Sequence, residues 1–246
     1  MAILWPALAA GLVVLATHVP LGREVLARGI IFLDLAVAQV AALGVVAADA
    51  LGLGDSVWQV QITAVLAALS AALLLNWSEA RWPRLQEALI GTLFVLAASA
   101  GILLLSHSPH GAEEIKALLS GQLLWVTAVQ LLPMALLSAA LLGLWFGLGR
   151  RLGRKGFYLL FAVAVTASVQ LVGVYLVFAS LIIPALAARA VSGSRGLWLG
   201  YGVGTAGYLL GVFASLHFDL PAGPLVVCML ALVAILVALG VRRGIG

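Results

Sequence analysis

Nine apolar blocks separated by short polar stretches organise this chain, at approximately residues 2–19, 30–48, 57–76, 88–106, 123–147, 157–172, 174–188, 197–216 and 224–241. Most are long enough for a helix to cross a hydrocarbon core of about 30 Å at about 1.5 Å per residue. One is not. VYLVFASLIIPALAAR (174–189) runs 15 apolar or small residues into Arg189 and carries Pro184 near its end. As a helix it reaches only about 22 Å. Between 106 and 123 the segment GAEEIKALLSGQ (111–122) is too short and polar to span, and predicts a surface or re-entrant helix.

The polar stretches arbitrate how the short block is used. Basic residues occupy PLGREVLARG (20–29), NWSEARWPRLQE (76–87), GRRLGRKG (149–156), ARAVSGSRG (188–196) and the C-terminal VRRGIG. Acidic residues occupy GLGDS (52–56), SHSPHGAEEIK (106–116) and HFDLPAGP (217–224). If 157–188 were one helix it would run about 48 Å. It would also put Arg189 and Arg195 opposite the GRRLGRKG cluster. If the chain turns back near Val172-Gly173, every basic loop falls on one side and every acidic loop on the other, as the positive-inside rule requires. The second arrangement gives about nine crossings, with the N-terminus outside and the C-terminus cytoplasmic. It makes 157–172 and 174–188 a broken pair around Gly173. Irregular backbone at that depth needs protein or water around it, so the pair belongs in the bundle interior or at a subunit interface.

Composition fixes the class. Of 246 residues, 64% are hydrophobic and 9% charged, and mean hydropathy is +1.21. A soluble domain is nearer half apolar and a quarter charged. The expectation is an all-α polytopic membrane protein, one domain over 1–246. The pI of 9.7 comes from Lys and Arg in short loops and does not point to nucleic acid. The opening MAILWPALAAGLVVLATHV lacks a positive n-region and reads as a retained first helix. Cys228 is the only cysteine, so there is neither a disulfide framework nor a Cys metal motif. No GxxxxGK[ST], HExxH or Ser-His-Asp pattern is present. The chain is therefore read as a non-enzyme, and any ATP hydrolysis must come from a partner.

Ionisable groups inside membrane blocks are costly and mark candidate pathways. Asp34 and Gln39 lie in IIFLDLAVAQVAALG (30–44), about 140° apart around a helix. Asp34 is either a pathway carboxylate or a structural contact that snorkels or pairs with Arg28. Glu87 opens the fourth block and is either a pathway group or a charge on a helix N-terminus. Thr166, Ser168 and Gln170 precede the break and are expected to satisfy backbone groups freed there. His107, His110, Glu113, His217 and Asp219 are candidates for capturing a divalent cation at the outer mouth, against the default reading of a solvated loop. Gly196, Gly200, Gly204, Gly207 and Gly211 recur at three- and four-residue spacing, a smooth face for close helix packing.

Four stretches together resemble metal-ion ABC transporter permeases of the zinc/manganese type. VGVYLVFASLIIPALAAR (172–189) is similar to that family's FVGxLLxxxLLIIPAxxAR. VPLGREVLARGIIFLDLAVAQVAALGV (19–45), LLSGQLLWVT (118–127) and DLPAGPLVV (219–227) resemble its other signature stretches in the same order. The resemblance implies the fold of vitamin, siderophore and metal importers and a homodimer in the cytoplasmic membrane. It implies a cytoplasmic ATPase subunit that supplies ATP hydrolysis, an extracytoplasmic metal-binding protein, and zinc or manganese as transported ion. The chain binds no cofactor of its own in this reading. Two departures stand out. The second-helix Asp and His of the family fall on Leu35 and Gln39, with Asp34 one residue early. Glu87 matches an acidic position, but the fourth-helix His falls on Val95. The family's ATPase-docking segment is also replaced by GRRLGRKG, where Arg150, Arg151, Arg154 and Lys155 are the candidates to face an ATPase. A permease for a non-metal solute and a non-transporting scaffold are the alternatives these departures leave open.

Overall fold

The computed structural model describes residues 4–54, 56–106, 108 and 111–243. All regular elements among them are helices: α1 Leu4–Arg28, α2 Leu33–Ala50, α3 Val57–Arg81, α4 Gln86–Leu105, α5 Gly111–Ser120, α6 Ala128–Val172, α7 Val174–Ala187, α8 Gly193–Phe218 and α9 Ala222–Arg243. Short 3-10 turns occupy Pro83–Leu85 and Leu123–Trp125. Eight segments are long and apolar enough to cross a membrane, with α6 contributing Ala128–Leu148 and Arg151–Val172, and α7 is the short ninth. Leu103, Val129 and Leu132 are two-thirds or more exposed on the isolated chain. Apolar faces of this kind are stable only against lipid or another apolar surface.

The basic stretch 149–156 is more compact than the loop expected from its sequence. Helical hydrogen bonding runs through it, interrupted in its dihedrals at Gly153 (φ 60, ψ −166). The Trp145 and Phe157 rings nevertheless lie 5.9 Å apart. Twelve residues of straight helix would separate them by about 18 Å, so the chain folds back sharply at Gly153.

Two compact units make up the chain. The first comprises Met1–Gly29, Ser120–Leu142 and Leu171–Gly246. Its centre is α7, where Leu176, Val177, Ser180 and Leu181 are fully buried against α1, α8 and α9. Missing side chains permit this burial. A Cβ on Gly22 of α1 would sit 2.0 Å from the Leu181 carbonyl oxygen of α7. Gly200 and Gly204 of α8 receive Val19 and Leu15 of α1, and Gly207 and Gly211 receive Leu230 and Val226 of α9. The glycine face of α8 is thus a packing surface on two sides. Within α7, Ser180 donates to the Leu176 carbonyl at 2.6 Å, so the Tyr208 hydroxyl 2.8 Å away is the donor to Ser180.

Gly173 breaks the chain between α6 and α7 with φ 79 and ψ 164, a conformation confined in practice to glycine. Gly121, also at positive φ (69), lies against it. A Cβ on Gly173 would be 2.3 Å from the Gly121 nitrogen, and one on Gly121 would be 2.2 Å from the Val172 oxygen. α7 then restarts with Val177 N–H donating to the Gly173 carbonyl at 3.0 Å. Thr166 and Ser168 do not serve the break, contrary to expectation. Their hydroxyls donate to Ala162 and Ala164 one turn back in their own helix, because a hydroxyl in a helix reaches its own i−4 carbonyl first.

The second unit comprises Ile30–Leu119 and Gly143–Gln170. Val40, Ala71 and Ala97 form its small-residue core with Leu43, Ala67 and Leu93 around them. At the start of α3 and the end of α6, the side chains of Gln61 and Gln170 are hydrogen-bonded to one another. At the opposite end, Gln86 is buried and holds three elements together. It accepts from Ser78 at 2.9 Å and donates to the Leu75 carbonyl at 3.0 Å and to the Tyr158 hydroxyl at 3.2 Å.

Two stability predictions follow from these contacts. Gly173→Ala adds strain of about 1–3 kcal/mol before any clash is counted, so it should lower the unfolding midpoint of the detergent-solubilised protein markedly. Gly202→Ala, where a Cβ meets nothing within 4 Å, should leave the midpoint unchanged or raised. Gln86→Ala removes three hydrogen bonds from a buried network and should cost about 1–3 kcal/mol, more than Tyr158→Phe in the same thermal measurement.

Candidate functional site

Asp34 is the second residue of α2 and has no exposed surface. Both of its oxygens are buried without a hydrogen-bond partner. Phe32 precedes the helix and offers no side-chain cap. The positive end of the α2 dipole is the favourable field this carboxylate feels. It does not snorkel, and Arg28 donates from Nε to Glu24 at 2.7 Å. Gln39 is half-buried farther along α2.

Glu87 is the second residue of α4, in the same unit as Asp34. Its Oε1 accepts the Ile31 N–H at 2.8 Å, and its Oε2 is buried without a partner. That bond ties the start of α4 to the turn entering α2, three residues before Asp34. Two carboxylates with uncommitted buried oxygens therefore stand at the first turns of two helices that begin at the same end of this unit.

The first unit holds a buried ionisable side chain that the sequence pattern passes over. His18 lies in α1 with no exposed surface. Its Nδ1 is 2.9 Å from the Val14 carbonyl oxygen and 3.1 Å from Thr17 Oγ1, while Nε2 is buried without a partner. The signal was present in LATHVPL (15–21), an ionisable group inside an apolar block, the same criterion that marks Asp34.

At one end of the first unit, three of the four family-like stretches converge. Gly121 lies on Val172 and Gly173, and a Cβ on Gly223 would be 2.2 Å from the Ser120 carbonyl oxygen. Residues 120–125 and 221–223 line an open groove of about 520 Å³ there. Trp125 is 78% exposed beside it.

Of the outer-mouth candidates, Glu113, His217 and Asp219 lie among the described residues. His107 and His110 lie outside the described residues. Glu113 is exposed on α5, and its neighbour Glu114 accepts from Ser108 at 3.2 Å. His217 is exposed with its ring 4.8 Å from that of Phe218. Asp219 ends α8 in the left-handed conformation (φ 53, ψ 44), its N–H donating to the Ser215 carbonyl. Among the described residues no three His, Cys, Asp or Glu side chains gather as a metal site.

At the basic hairpin, Arg154 Nε donates to Asn76 at 3.2 Å and lies 3.8 Å from Glu79, both near the end of α3. Arg151 and Lys155 are exposed. The Arg150 side chain lies outside the described residues. In the first unit, Arg23 donates to the Gly193 carbonyl at 2.9 Å, joining two basic segments at one end.

The model of the ABC 3 transport family matches residues 1–153 and 147–241, essentially the whole chain. A Haemophilus influenzae protein named a probable iron transport system membrane protein is 33% identical over 87 residues, 35% of this chain and 32% of that one. The aligned stretch thus spans about a third of that relative. Among solved structures, PsaBC from Streptococcus pneumoniae in complex with Fab superposes with a TM-score of 0.79 at 21% identity, covering 96% of this chain and 91% of the other. An inward-facing structure described as a metal-chelate type ABC transporter superposes with a TM-score of 0.71 at 20% identity, covering 96% and 85%. The family match over the whole length and the shared all-helical fold agree with the sequence resemblance, and the chain belongs to the ABC 3 transport family, as a multi-span membrane permease of the ABC-transporter type.

Proposed function

We propose that the chain is the membrane subunit of an ATP-driven importer for a divalent transition-metal ion of the zinc or manganese class. The observation that carries this reading is Asp34, a carboxylate with no exposure and two unpartnered oxygens in a membrane helix. Such a group is expensive in hydrocarbon unless a cation or proton meets it. Glu87, with one buried unpartnered oxygen in the same unit, adds a second hard donor for that cation. The names of an iron-transport relative and of a metal-chelate type structural neighbour point to the same solute class. Gln39 gives an amide rather than an imidazole in α2, which favours a chelated metal as the second reading.

A separate ATPase drives the cycle, since this chain carries no phosphate-binding loop. Arg151 and Lys155 are the side chains available to meet it on the cytoplasmic side, while Arg154 is engaged with α3. An extracytoplasmic binding protein delivers the ion on the side of the acidic loops. The working unit is a homodimer in the cytoplasmic membrane, N-terminus outside and C-terminus inside.

The test is uptake of radioactive zinc, manganese and iron by cells producing the chain with its ATPase. Asp34→Asn should cut uptake of the preferred ion about tenfold or more at unchanged membrane level, and Gln39→Ala should reduce it less. Uptake at the wild-type rate by Asp34→Asn would remove α2 from the ion's route. ATPase stimulation by an organic solute alone, with no ion dependence, would replace the metal reading.

A further inference from the structure

We propose that His18 is a ligand for the transported metal ion, binding it through Nε2, so that α1 carries part of the ion's route through the first unit. This rests on the metal-permease reading above.

The tautomer follows from the contacts. The Val14 carbonyl can only accept, so the hydrogen of its 2.9 Å contact resides on Nδ1. Thr17 commits its own hydroxyl hydrogen to the same carbonyl at 3.1 Å and can only accept from Nδ1. Neutral imidazole carries one ring hydrogen, which leaves Nε2 with a bare lone pair. A histidine with one nitrogen fixed by a backbone carbonyl and the other free is oriented as metal-ligating histidines are.

Burial sharpens the point. His18 has no exposed surface and Nε2 has no partner. An unsatisfied buried acceptor costs about 1–3 kcal/mol, which an apolar side chain of similar shape would avoid. The position is also deep. His18 is the fifteenth residue of the 25-residue α1, about 21 Å from its start and 15 Å from its end. That places it within the hydrocarbon core.

The backbone around it is held. Leu15 and Val19 pack onto Gly204 and Gly200 of α8, and Tyr201 donates to the Ala16 carbonyl at 2.8 Å. The imidazole is therefore presented from a fixed segment, as a preformed ligand requires. Its chemistry suits the cargo, because imidazole nitrogen binds zinc and iron well whereas carboxylate oxygen alone favours harder ions. Among the described residues His18 is the one buried histidine.

The chain has four histidines, which makes the test direct. A full-length variant with His107→Gln, His110→Gln and His217→Gln keeps His18 as its sole imidazole. X-ray absorption at the zinc edge of this variant, loaded with zinc alone, should retain imidazole scattering. Adding His18→Gln should abolish that scattering and weaken zinc binding about tenfold or more. His18→Cys should keep zinc and exchange nitrogen for sulfur scattering. Zinc bound by the three-site variant without imidazole scattering overturns the assignment of His18 and leaves the metal-permease reading standing. If neither wild type nor the three-site variant binds zinc, manganese or iron, both fall. The decisive sample leaves His18 intact, so it does not depend on whether substitutions at His18 fold.

Discussion

The backbone of Gly121 lies directly on the backbone of Val172 and Gly173, and this contact sets where α7 begins. A side chain on either glycine would put a carbon within 2.3 Å of the other strand of chain. The contact lies where α6 ends and α7, a helix of only 14 residues, begins. Everything packed on α7 inherits that geometry. Gly22 of α1 leaves room for the Leu181 carbonyl, and Tyr208 of α8 donates to Ser180. Ser120, at the same junction, lies against Gly223 at the start of α9. One close approach between two glycines thus joins three separated stretches of sequence.

The hydrocarbon surroundings explain the second layer of the structure. Polar side chains that only need satisfying bond locally, as Thr166 and Ser168 do to carbonyls of their own helix. Gln86 connects elements through Ser78 and Tyr158, so its polarity is spent on architecture. Asp34, Glu87 and His18 differ, because each keeps a buried donor atom with no partner. A medium of low polarity penalises such atoms, and this is the ground on which the three are proposed to meet a cation.

Much of the architecture was legible in the sequence because it follows from one-dimensional quantities. Apolar block length gave the candidate spans, and the alternation of basic and acidic stretches pointed to a break at Gly173, where α6 gives way to α7. The glycines of α8 were legible as a packing face by spacing alone. What was not legible depends on contacts between distant residues. The pairing of Gly121 with Gly173, of Gln61 with Gln170 and of Gln86 with Tyr158 leaves no trace in local periodicity. The stretch 149–156 looked like a loop because of its charge and glycines, yet Lys and Arg are good helix formers and Gly153 alone carries the turn. His18 carries in sequence the same signal as Asp34, an ionisable side chain within an apolar block, but its unpartnered Nε2 is a property of the folded chain.

If the chain reverses at Gly173, as the positive-inside rule predicts, α6 and α7 are separate crossings. Single cysteines in a Cys228→Ser background, probed with a membrane-impermeant maleimide, test this most directly. Lys155→Cys and Arg189→Cys should both resist the reagent in intact cells and react after permeabilisation, whereas His217→Cys should react in intact cells. Labelling of positions 155 and 189 from opposite sides of the membrane would contradict the reversal and, with it, the placement of every helix that packs on α7.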